Sequence, residues 1–190
     1  MTTARLLLTL LLALGTVTAA TAGDDRHDRF STELSGYNEV HFIAAPTPAL
    51  RGAVSTPATG SFKARVDDRK DVIHYELSYE GLTGTVAQAH IHFGQRHTVG
   101  GIVAWLCQGT VLAPEAVRAA TPPCPQEGTV KGSIVASQVL EAAGQGLAAG
   151  DFQALVDAIR AGAAYANVHS STFGPGEIRG QIGHDHGHRH

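Results

Sequence analysis

Hydrophobic and polar residues alternate along most of this chain. Val72 to Tyr79 shows the pattern most clearly, with Ile73, Tyr75, Leu77 and Tyr79 on one face and His74, Glu76 and Ser78 on the other. A period of two marks a half-buried strand. The same reading predicts strands over Phe30 to Leu34, Gly60 to Val66, Val86 to Phe93, Ile102 to Leu106, Gly128 to Ile134, Ala164 to Val168 and Glu177 to Ile182. Turn chemistry separates them: Ser35-Gly36-Tyr37-Asn38, Asp67-Asp68, Gly81 with Gly84, and Gly174-Pro175-Gly176. From Ser137 to Ala161 the period lengthens, and Val139, Leu140, Leu147, Phe152, Leu155, Val156 and Ile159 recur at helical spacing. Gly144, Gly146 and Gly150 divide that stretch in two. Asp151 suits the N-cap of the second piece, and Gly162 stops it. The pattern is mainly β. It predicts an antiparallel β-sandwich or barrel with one short helical insertion before the last two strands.

The N-terminus follows a different rule. Arg5 precedes an apolar run from Leu6 to about Leu14, and Ala20-Thr21-Ala22 has the A-x-A form of a cleavage site. The run is shorter than the roughly 20 residues a membrane span needs. Residues 1–22 therefore read as a secretory signal peptide, 23–29 as a disordered N-terminus, 30–183 as one β domain and 184–190 as a His-rich tail. The expected location is secreted or periplasmic, with no stable membrane insertion after cleavage. A net charge of −3 gives no basic footprint for nucleic acid. Export also bears on the two cysteines, Cys107 and Cys124, which flank a stretch rich in Pro and Ala. An oxidising compartment favours a disulfide between them, the alternatives being free thiols or a metal-binding pair.

Three strands carry side chains suited to chemistry. Gln88, His90 and His92 share one face of their strand, with Ala87, Ala89, Ile91 and Phe93 on the other. Asn167 and His169 share a face of a second, and Glu177, Arg179 and Gln181 a face of a third. Such faces are commonly the solvated sides of half-buried strands. Here they hold His, Asn, Gln, Arg and Glu, groups that direct hydrogen bonds or coordinate metals. If the three strands are neighbours, these faces form one site.

The same residues carry a resemblance. Ala89-His90-Ile91-His92-Phe93-Gly94, Gly101-Ile102-Val103 with Cys107, Tyr165-Ala166-Asn167-Val168-His169 and Pro175-Gly176-Glu177-Ile178-Arg179-Gly180-Gln181-Ile182 resemble the CHRD domain, named for chordin and widespread in secreted bacterial proteins. Leu34-Ser35-Gly36-Tyr37-Asn38-Glu39-Val40 resembles its opening motif. The family's Pro after that Glu-Val is His41 here, and its Thr after Asn-Val-His is Ser170. The resemblance implies a secreted β-rich module, and many bacterial members carry a cysteine pair like Cys107 and Cys124. It supplies no enzyme activity.

Three functions compete on these residues. One is a binding module for an extracellular protein or glycan, with the polar layer as network or contact surface. Another is a transition-metal site. His90 and His92 have H-x-H spacing and His169 is a third candidate ligand, a set that suits copper or zinc. Gln88, Asn167, Glu177, Arg179 and Gln181 would then orient ligands or bind a ligand themselves. Against a metal, the Arg179 guanidinium repels cations and would pair with Glu177. The third is an enzyme. No catalytic residues stand out, because His169 and Ser170 are adjacent on a strand and point to opposite faces. Separately, His184, His186, His188 and His190 form a tract that reads as weak metal capture or as a plain polar tail.

Overall fold

The protein is described by a computed structural model covering residues 28–43 and 49–185. The expected signal segment 1–22, residues 23–27 of the expected disordered N-terminus, and the tail histidines His186, His188 and His190 lie outside it. Alternation dictates most of what folds. The strands are β1 (Arg29–Ser35), β2 (His41–Ile43), β3 (Ala49–Gly52), β4 (Thr59–Asp67), β5 (Val72–Glu80), β6 (Val86–Phe93), β7 (Gly101–Gln108), β8 (Gly128–Val135), β9 (Ala164–Ser170), β10 (Ile178–Gln181) and β11 (Gly183–His184). Two helices, α1 (Glu115–Arg118) and α2 (Phe152–Arg160), complete the elements used below.

One large sheet has the order β7-β6-β9-β10-β1-β4-β5-β8, with β11 beside β1 and every pairing antiparallel. It curls into a nearly closed barrel, as the alternation predicts. The apolar faces of the strands turn inward together. Phe30, Phe62, Leu77, Ile91, Val168 and Ile178 meet in a single core, each at most 1% exposed. Burying a side chain of this size contributes about 1.5–3 kcal/mol.

Helix α2 adds its own stripe to that core through Phe152, Leu155, Val156 and Ile159. Asp151 caps it by accepting from Ala154 N at 3.0 Å. Gly162, at φ 66°, takes the left-handed conformation that ends it. This is the helical insertion expected before the last strands. The first piece of the helical stretch folds differently. It forms single 3₁₀ turns at Ala136–Gln138 and Ala143–Gln145 and a short bridge from Ala142 to Leu147. Val139 and Leu147 are buried as their spacing suggests, but the backbone spends its bonds elsewhere, with Leu140 N donating to Val103 O on β7. Edge pairing thus outweighs helix propensity there.

The period-two reading misses the β2–β3 hairpin and α1, each too short to show a period. His41, which replaces the family's Pro, begins β2. Cys107 and Cys124 are joined as a disulfide across 17 positions of sequence. The bridge fixes the end of β7 to the Pro-rich stretch, where Cys124 N donates to Gln108 O and Gln108 N to Pro122 O. Closing a loop of this length in the unfolded chain predicts that reduction lowers stability by about 3 kcal/mol. Urea unfolding with and without reductant is expected to show that loss, and equal midpoints would refute it.

Candidate functional site

The site is built on the outer face of β6, β9 and β10, which lie side by side in the sheet. In the β6–β9 ladder His90 stands opposite Asn167, Gln88 opposite His169 and His92 opposite Tyr165. In the next ladder Arg179 stands opposite Asn167 and Gln181 opposite Tyr165. A sheet face of this composition would ordinarily be wet. This one is covered. His90 is fully buried, His92 is 7% exposed, His169 5%, Asn167 2% and Arg179 2%.

The cover comes from loops and from β7. Two irregularities in the β6–β7 pairing fall at Ala89/His90 and Ile91/His92. Leu106 and Val103 are the unmatched residues, and the shift sets Trp105 opposite His90 and Ile102 opposite His92. The Trp105 ring meets the His90 ring edge to face at 4.3 Å between centroids. Trp105 then packs on Ala113 and Val117 in a small apolar cluster outside the main core. The β6–β7 loop closes another side. Its Gly100 carbonyl lies 2.9 Å from His92 Nδ1, and Gly100 N donates to the Tyr165 hydroxyl. His169 Nδ1 lies 2.8 Å from the Gly174 carbonyl in the β9–β10 loop.

His90, His92 and His169 each present a ligand nitrogen here, and these atoms all lie within 4.8 Å of one another. Both ring nitrogens of His90 and Nε2 of His92 are buried and make no hydrogen bond. Leaving such groups unpaired costs about 1–3 kcal/mol each. Hydrogen bonds to Gly100 O and Gly174 O assign the proton of His92 and of His169 to Nδ1, which leaves Nε2 of each as the donor nitrogen. Metal-binding histidines are oriented in this way, by a carbonyl on the other ring nitrogen.

Burial keeps the His90 and His92 rings neutral. Burial pushes the His90 pKa well below the usual range, and the neighbouring His169 and His92 add to that. Burial likewise takes His92 down to about 4, against the upward pull of its bond to Gly100 and with His169 and Arg179 acting in the same direction as burial. A neutral imidazole is the form that ligates metals.

The remaining predicted residues divide. Asn167 stands beside the triad and donates from Nδ2 to Glu39 Oε2 at 2.5 Å and to Ile178 O at 3.0 Å. Arg179 does not pair with Glu177. Its guanidinium lies 3.3 Å above the Tyr165 ring and donates to Thr98 O and Gln95 O. Glu177 turns away instead, because the chain enters β10 through Gly176 at φ 138°. It accepts from Thr56 Oγ1 at 2.6 Å and Thr83 N at 2.9 Å. Burial raises its pKa, but hydrogen bonds from Ser170, Thr56 and Thr83 outweigh that and leave it lowered. Gln181 is also remote in role, tying Gly94, Gly162 and Ala164 carbonyls together. Gln88 is half-buried at the edge of the face. Of the tail, His184 lies in β11 with its ring 4.8 Å from Phe30.

Sequence reasoning missed two members. Glu39 is 4% exposed and bears on both Arg179 and Tyr165. Its signal was available in the Asn38-Glu39-Val40 motif, but nothing in the spacing says that a residue 128 positions away meets Asn167. Tyr165 lies between His92 and Arg179 in the network, its ring parallel to His92 at 4.7 Å. It sits two residues before Asn167, so period two places it on this face.

The buried neutral rings predict acid sensitivity. His92 has a folded pKa below its unfolded one, so its contribution is complete above about pH 6.5 and is lost as pH falls toward about 4. In EDTA, urea unfolding is expected to show stability falling across that window. His92→Gln should reduce the slope by about one proton. An unchanged slope in His92→Gln would rule out this assignment.

Known proteins add a family. The CHRD domain family model matches residues 30–182. No curated protein and no solved structure matches the chain. Among the described residues, no helix is long and apolar enough to cross a membrane.

Proposed function

We propose that this chain, which belongs to the CHRD domain family, binds one transition-metal ion, copper or zinc, through His90, His92 and His169. The observation that carries the reading is the convergence of three buried imidazole nitrogens within 4.8 Å. A bound ion sits about 2.0–2.1 Å from each imidazole nitrogen, which requires the nitrogens to approach to roughly 3.3–3.5 Å. Binding therefore requires the three rings to rotate toward one another. The ion would satisfy donor atoms whose burial otherwise costs stability. Imidazole ligands suit copper and zinc.

Export fits this role. The N-terminal signal pattern and the disulfide are what a protein working outside the cytoplasm requires. In this reading the domain is a secreted or periplasmic binding module whose ligand is the ion. The tail histidines His184, His186, His188 and His190 offer a second, weaker place for metal capture. The alternative, an extracellular protein or glycan as ligand, rests on the family's modular character. It would use the polar layer as a structural network or as a contact surface.

Trp105 gives a direct readout, since it is the only tryptophan in the chain and touches His90. Titrating metal-free protein with copper(II) is expected to quench its fluorescence at one equivalent, and one equivalent of either metal should raise the melting temperature. His90→Ala should abolish both responses, while alanine at His186, His188 and His190 should leave them. Binding no tighter to the native chain than to His90→Ala would end the metal reading.

A further inference from the structure

Resting on that metal reading, we propose that the triad selects a monovalent cation, copper(I), over divalent ions. The donor set points this way first. Among the described residues, the three imidazoles are joined by no carboxylate or thiolate ligand. A divalent ion would therefore bring two uncompensated charges into a buried space. Desolvation cost rises as the square of the charge, so it is roughly four times larger for a divalent ion than for a monovalent one of similar size. Zinc held by three histidines ordinarily keeps a water as its fourth ligand. Here His90 is fully buried, with Trp105 against its ring. Copper(I) tolerates three ligands and needs no water.

The Arg179 charge acts in the same direction. Arg179 is held in place by the Gln95 and Thr98 carbonyls and by the Tyr165 ring, against which His92 also stacks. Its positive field reaches His92 across the shared Tyr165 ring, 3.3 Å from the guanidinium and 4.7 Å from the His92 ring. The same field disfavours any cation at the triad, and a divalent one twice as strongly. Glu39 offsets part of this field. It is buried and accepts from Asn167, which stands opposite His90 in one ladder and opposite Arg179 in the next. Arg179 and Glu39 thus form a charge pair around the site whose two members bias the ion's valence in opposite directions.

The test uses the full chain with His186, His188 and His190 replaced by alanine, so that tail imidazoles do not compete. Copper(I) is supplied anaerobically as its bicinchoninate complex and challenged with zinc(II). Copper(I) should stay bound in a hundredfold excess of zinc. Arg179→Gln should lower the copper(I)-to-zinc affinity ratio by about tenfold, the scale of one unit charge at a partly screened distance. Glu39→Gln should raise it. Circular dichroism checks the fold of each variant, and if Arg179→Gln does not fold, Glu39→Gln decides alone. Displacement of copper(I) by near-equimolar zinc, or a ratio that the folded variants do not move, overturns the selectivity while leaving the metal site standing. Failure of both ions to bind above the level of His90→Ala removes the metal reading itself.

Discussion

Everything at this site depends on the pairing of β6 with β9. That ladder sets Gln88 against His169 and His90 against Asn167, and so brings the H-x-H pair within reach of a histidine far along the chain. A slip of one residue would send the three imidazoles into the barrel and Ala89, Ile91 and Val168 out to the loops. The register is held because those apolar residues are fully buried in the core. The apolar side of the sheet therefore positions the polar side. The core needs no knowledge of the site, yet it fixes where the site's nitrogens stand.

The second requirement is cover. An antiparallel sheet can leave one face to water, and the outer faces of β4 and β5 do so. Over β6, β9 and β10 the loops make a further layer. The β6–β7 loop is fastened through Gly100 to His92 and Tyr165 and through Gln95 and Thr98 to Arg179. The β9–β10 loop is fastened through Gly174 to His169. Each fastening uses a polar group from the face itself. The polar residues thus recruit their own cover, and the cover keeps His90 and His92 neutral. Arg179, expected to pair with Glu177, tethers the loop instead and keeps its charge beside the histidines.

Glu177 shows the division of labour at the rim. It holds Thr56, Thr83 and Ser170, linking two loops to the end of β9. Glu39 takes the place near the triad that the strand pattern had assigned to Glu177. Alternation fails for Glu177 because it stands just before β10, behind a glycine in a conformation no regular strand adopts.

By itself the sequence determined the β class, the core faces, the α2 insertion and the three histidines with Asn167 and Arg179. These follow from local rules: side chains alternate on a strand, apolar ones turn inward, and a capped run of period 3.6 forms a helix. The CHRD-like motifs also announced the family. Only the tertiary structure decided that the three polar faces adjoin, that loops bury them, that Glu39 and Tyr165 meet Asn167 and His92, and that Glu177 turns to Thr56 and Thr83. Those facts rest on contacts between residues distant in sequence, and on backbone turns at single glycines. No local period encodes either one. The sequence shows which residues have donor atoms to offer, and strand order and burial alone determine that those atoms face one another.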